Sequence, residues 1–227
     1  MRKRVLLLAV SCKTGGLCPG GIDLDNQNQW IRIVKDDGNA GAVQGRDIDF
    51  AKPLDVLKFE GRPKPQGRQI ENWVIDNCSC KNCGRPTLNG NAATDKELLD
   101  FAYKEYSYHG FWGNYKDYLN DEEFERGNEP SESILQVTNV RIYKYYQKAK
   151  IDFNWSGARY RILGISMTDQ DYYDKIDDDT DVCFDKAYIV VSIPKDCDWV
   201  YPQTGEKRAY KFVSRVFDIS DNNSRPV

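Results

Sequence analysis

Apolar residues along this chain fall in short runs separated by polar turns, a spacing that predicts strands over most of its length. "VLLLAV" (5–10) is continuously apolar and predicts a buried strand over 4–11. "GIDL" (21–24) and "WIRIV" (30–34) flank the polar stretch "DNQNQ" and predict a hairpin. Within the second of these, Trp30, Arg32 and Val34 share one face and Ile31 and Ile33 the other, because side chains alternate along a strand. "PLDVLKFEG" (53–61) and "QIENWVID" (69–76) add two more strands. Short strands at this spacing predict a small barrel or sandwich.

The pattern changes after Asp76. "CSCKNCGRPTLNGN" has no apolar period. "TDKELLDFAYKEY" then opens with Thr94 and Glu97 three residues later, a capping box, and puts Leu98, Phe101, Ala102 and Tyr106 on one helical face. A weaker helix and a polar linker reach Pro130. Strands return with "ILQVTNVRIYKYY", with "KAKIDFNW" and "ARYRILGISM" flanking Ser156-Gly157 as a two-residue hairpin turn, and with "KAYIVVSI" and "RAYKFVSRVF". The expected plan is mainly β: an N-terminal barrel over 1–77, a Cys-containing loop and helical insert over 78–130, and a C-terminal barrel over 131–227.

Composition narrows the partners. The 227 residues are 40% hydrophobic and 12% aromatic, with 14 tyrosines, which suits a β-rich globular chain. The net charge is −3, and this acidic balance argues against non-specific duplex binding, which needs a broad basic face. The longest N-terminal apolar run is too short for a membrane span or a signal peptide, so the expected location is the cytoplasm. The seven cysteines are then expected as thiols or metal ligands rather than disulfides.

Several stretches together carry a resemblance. "RVLLLAVSCKTGGLCPGGIDL…WIRIV", "IENWVID", "ILQVTNVRIY" and "YRILGISMTDQDYY" resemble, in order and spacing, a bacterial family of dual OB-fold domain proteins. The resemblance covers most of the chain and implies two OB-type barrels packed together, with no catalytic residues to carry over. OB barrels as a class bind oligonucleotides or oligosaccharides on one strand face. The cysteine cluster after "ENW" departs from the family pattern, so any metal there belongs to this chain or a subgroup.

Five places hold candidate chemistry. "SCKTGG" (11–16) brings Lys13, Thr14, Gly15 and Gly16 to one tight loop. Its glycines follow the lysine, so it is not a Walker A motif. It is either a turn whose glycines take positive φ or a backbone anion nest beside Lys13. Glu71, Asn72 and Trp73 stand at a strand start, where they either bond a polar ligand or satisfy buried backbone groups. Thr168 and Asp169 end a strand, where Asp169 caps a turn or pairs with Glu71 for acid–base work. Eight aspartates over 169–185 mimic an EF-hand at Asp177, Asp179 and Asp181 but lack its glycine and glutamate, and so predict a solvated acidic loop. Cys80 and Cys83 have zinc-knuckle spacing, with Cys78 as a third ligand and Cys12, Cys18 or His109 as the fourth. His109 is the only histidine, so any Ser-His-Asp or Cys-His chemistry would have to use it.

These features give three functional readings. The first is a module that recognises a nucleic-acid end, a single strand or a nucleotide, with aromatics stacking on bases and Lys13 and Arg32 meeting phosphate. The second is an enzyme using Glu71 and Asp169 at the barrel junction. The third is a protein-interaction subunit.

Overall fold

The computed structural model describes residues 1–26, 29–36, 41–76, 79–88, 90–106, 111–173, 175–177 and 179–220. The chain falls into two compact units, Met1–Ser107 and Tyr108–Val227, so the expected insert is shared between them. Helix and strand positions follow the apolar pattern closely in both.

The first unit contains β1 (Arg2–Lys13), β2 (Gly16–Asp23), β3 (Trp30–Val34), β4 (Val56–Pro63) and β5 (Asn72–Ile75). β1 pairs with β2 and β2 with β3, both antiparallel. β3 runs parallel to β5, β5 antiparallel to β4, and β4 returns antiparallel to β1. The ring therefore closes as β1-β2-β3-β5-β4-β1, a five-stranded Greek-key barrel of the OB type. Its core is the inward set Val5, Leu7, Ile31, Ile33, Leu57, Phe59 and Ile75, with Trp73 half-buried against it. A short β6 (Lys81–Asn82) extends the sheet on β4. β7 (Thr87–Leu88) and β8 (Asn91–Ala92) form a small ribbon before α1 (Asp95–Tyr106). The capping box forms: Glu97 N–H donates to Thr94 Oγ1 at 3.2 Å and Thr94 N–H to Glu97 Oε2 at 2.8 Å. The helix buries Leu98, Leu99 and Ala102, whereas Phe101, expected on that face, is exposed.

The second unit begins with β9 (Tyr118–Asn120) and α2 (Asp121–Arg126), then β10 (Glu132–Tyr145), β11 (Lys148–Trp155), β12 (Ile162–Met167) and α3 (Gln170–Tyr173). It continues with β13 (Val182–Ser192), β14 (Trp199–Val200), β15 (Lys207–Tyr210) and β16 (Phe212–Asp218). β10-β11-β12-β16-β13 is a closed barrel, again with a single parallel pair, between β12 and β16. Its strand order repeats that of the first unit. Leu135, Val137, Ile142, Ile151, Phe153, Ile165, Ile189 and Val213 fill its core.

Two expectations are corrected here. Ser156-Gly157 does not make a two-residue hairpin, because β12 starts only at Ile162 and residues 156–161 form a longer loop. "RAYKFVSRVF" is two strands rather than one: β15 pairs with β9 in a separate three-stranded sheet, β14-β15-β9, while β16 joins the barrel. The break falls at Lys211, whose side chain turns inward and is fully buried.

Candidate functional site

The opening motif is the tip of the β1–β2 hairpin. Lys13 pairs with Gly16 across a two-residue turn of Thr14 and Gly15, so the turn reading of that loop describes its backbone. Gly15 has φ 90° and Gly16 φ 149°, conformations open to glycine. At Gly16 a Cβ would lie 2.4 Å from Val43 O, because the tip is pressed against a facing segment. Leu17 and Val43 exchange both backbone hydrogen bonds there, and Gln44 Nε2 donates to Gly15 O at 2.8 Å.

The second group of candidate residues does come together. β3 and β5 lie parallel with Arg32 opposite Asn72 and Ile33 opposite Trp73. Arg32, Glu71 and Asn72 are all buried, with Arg68 beside them in sequence and buried too. Arg32 N–H donates to Glu71 O at 3.0 Å, its Nε stands 3.6 Å from Glu71 Oε1, and its Nη1 donates to Cys18 Sγ at 3.3 Å. Trp73 points the other way, edge-on to Phe59 and under Lys3 Nζ at 4.8 Å from the ring centroid. The alternation of the strand thus splits Asn72 from Trp73, as the period of two requires. The face holding Arg32 is closed: Cys18, Ile22, Trp30, Arg32 and Val34, the outward residues of β2 and β3, are all buried.

Thr168 and Asp169 follow β12 directly. Asp169 Oδ2 accepts from Val216 N–H at 2.8 Å, and Oδ1 from Asp171 N–H and Arg215 Nη1, both at 3.1 Å. It therefore caps α3 and ties β12 to β16. Burial raises its pKa, and Arg215 opposes that rise. Glu71 belongs to the first unit and Asp169 to the second, and each carboxylate has a cation of its own. In the acidic loop Asp181 pairs with Arg141 at 2.6 Å.

Among the described residues no three His, Cys, Asp or Glu side chains gather as a metal site. Cys78 and His109 lie outside the described residues. Cys80 packs against the first barrel's core, and burial, helped by Asp47 and Asp49, pushes its thiol up to about 12. Cys83 is exposed.

The second barrel presents a group of residues that the sequence analysis passed over. The β10–β11 hairpin tip is Lys144, Tyr145, Tyr146, Gln147 and Lys148. Tyr145 is 57% and Tyr146 84% exposed, and their rings meet edge-on at 4.6 Å. Tyr146 and Gln147 both take left-handed φ, 45° and 60°. Such a turn ordinarily uses Asn-Gly, so two bulky residues there store strain. Beyond the tip, Lys150 donates to Gly164 O and Ser166 Oγ, both at 2.9 Å, on the outer face of β11 and β12. Arg159, Tyr160 and Arg161 are exposed in the following loop. β14 and β15, inserted between β13 and β16, form a sheet with β9, and this region adds Tyr118, Trp199, Tyr201 and Tyr210. Arg208 lies between two of these rings, 4.0 Å from the Tyr118 centroid and 3.7 Å from that of Tyr201. Aromatics interleaved with lysine at a strand end, "KYYQK", are the signal that could have located this surface.

Lys211, between β15 and β16, ties that junction to the loop bearing Phe111 and Asn114. Its Nζ donates to Phe111 O at 2.8 Å, Asn114 O at 2.9 Å and Asn114 Oδ1 at 2.8 Å. Burial pulls its pKa down to about 7, against the opposing pull of Glu123 and Asp117.

Two barrels with one strand order define a tandem OB protein. The chain belongs to the dual OB-containing domain family, whose model matches residues 3–216. No curated protein matches it. A solved structure of a murine DNA-binding protein bound with double-stranded DNA is similar at 6% identity over 99% of each chain, with a TM-score of 0.34. At that score the likeness bears on neither fold nor function. Among the described residues no helix is long and apolar enough to cross a membrane.

Proposed function

We propose that the protein binds single-stranded nucleic acid and that the second barrel carries the ligand. OB barrels take oligonucleotides on the face of their second and third strands, between the loop joining strands one and two and the loop joining strands four and five. In the first barrel that strand face is buried. In the second barrel, β11 and β12 carry Lys150 and the exposed Leu163. The first of the two loops is the Tyr145–Tyr146 tip, and the second carries β14 and β15 with Arg208. The observation that carries the reading is the tip itself: two exposed tyrosines between two lysines, on a backbone that turn propensity disfavours. Rings of this kind stack on bases without regard to sequence, and the lysines meet phosphate. The acidic whole fits a narrow basic track better than a broad duplex-binding face.

The test is fluorescence anisotropy with labelled single-stranded and duplex oligonucleotides. The wild-type protein should prefer the single strand. The Tyr145→Ala/Tyr146→Ala double variant should lose about 1–3 kcal/mol per stacked base, roughly fivefold to 150-fold per ring. Equal affinity of wild type and double variant, or no binding by either, would overturn the proposal.

A further inference from the structure

The first barrel has a charged face of a different kind. Arg4 on β1 stands directly opposite Lys58 on β4, and Lys58 directly opposite Lys81 on β6. Residues paired in this way share one face of a sheet, with neighbouring side chains about 4.5–5.5 Å apart. Leu57 and Phe59 point to the core, so Lys58 and its two partners point outward. Like charges directly opposite one another destabilise a ladder, and here three stand in a row. Asp25 pairs with Arg4 at 2.7 Å. Among the described residues neither Lys58 nor Lys81 has a carboxylate within ion-pair distance. Arg2 lies on the same face, two residues before Arg4. Glu60 binds its Nε at 2.6 Å, and the Arg2 side chain is 89% exposed. Arg2, Arg4, Lys58, Asp25 and Glu60 line an open cleft of about 430 Å³. With Lys81, the face sets four cations against two carboxylates, and those carboxylates orient the guanidinium groups rather than cancel the lysines.

We infer that this face of the first barrel binds a polyanion of phosphoryl oxygens, either a small phosphorylated ligand or a phosphodiester backbone. An anion laid across the row relieves the repulsion that the free protein carries. This inference stands apart from the second-barrel reading, since it uses no residue of that unit. The Lys13 hairpin tip, by contrast, presents a single lysine.

The experiment uses the full chain, sodium triphosphate as the probe, and the variants Lys58→Thr and Lys81→Thr. Thermal melts and calorimetric titration across a salt series give the readout. Triphosphate should raise the wild-type melting temperature, and each substitution should shrink that rise. Each should also lower the log–log salt slope of binding by about one. Without the anion, each variant should melt at or above the wild type, because like-charge repulsion is removed. An equal triphosphate effect on the wild type and both variants would overturn the inference. A competition arm in the Tyr145→Ala/Tyr146→Ala background separates the two sources. Displacement of triphosphate by oligothymidylate supports a backbone, and retention supports a small ligand. Loss of the second-barrel site leaves this readout intact, so the two proposals fail separately.

Discussion

Lys211 shows how much one buried side chain can hold together. Three oxygen acceptors surround its Nζ, and even the neutral amine offers two N–H donors to them. Lys211→Met strips partners from Phe111 O and Asn114 O and should cost about 2–4 kcal/mol, measured by urea denaturation. The pH dependence has a definite sign. Unfolded, the lysine keeps its proton up to 10.5, while folded it releases it near 7. Between those values the unfolded chain binds more protons, so stability rises with pH, by up to about 1.4 kcal/mol per unit. The wild type should therefore gain on Lys211→Met between pH 7 and 10, and parallel pH profiles for the two would contradict the assignment. The cysteines differ in a similarly testable way. Exposed Cys83 should react quickly with a thiol reagent, and Cys80, half-buried with its pKa near 12, slowly. Protection of both that a chelator releases would instead indicate zinc on the knuckle spacing.

At the level of elements, the β10–β11 tip is where local preference and observed backbone disagree. Replacing Tyr146 and Gln147 with Asn and Gly supplies the residues that left-handed φ favours. The variant should gain about 1 kcal/mol, or roughly 2–4 °C in melting temperature for a chain of this size, while losing affinity for single strands. A stabilised variant with undiminished binding would mean the strain serves no ligand. The same scale shows what the sequence could and could not reveal. Ile31 and Ile33 against Arg32, and Thr94 with Glu97, report strand and helix directly, because alternation and capping are local. The break at Lys211 is not local. A lysine between Tyr210 and Phe212 looks like any outward strand position, and only the loop bearing Phe111 and Asn114 makes it inward. The 156–161 loop was missed for a related reason: Ser156-Gly157 is a good turn, and nothing nearby shows that β12 waits until Ile162.

Across the whole molecule, the two OB-type barrels were legible from strand spacing and from the stretches that mark the family, and the family model covers residues 3–216. The candidate site was legible only in part. Arg32, Glu71 and Asn72 do converge, as a polar strand start beside a parallel neighbour allows, and the β2–β3 outer face around them is buried. Burial of that kind depends on what lies over a strand, and no period in the strand records it. The exposed counterpart in the second barrel went unread because aromatic residues in "RIYKYYQK" fit a strand core as well as a stacking surface. Single-strand binding by the second barrel is tested most directly by photo-crosslinking of the intact protein to a single-stranded oligonucleotide carrying 4-thiothymidine, with the attachment sites read by mass spectrometry. A nucleic-acid face on the second barrel predicts crosslinks at Tyr145 and Tyr146, joined by Trp199 or Tyr201. Crosslinks confined to residues 1–107, or none above the level of a denatured control, would contradict it.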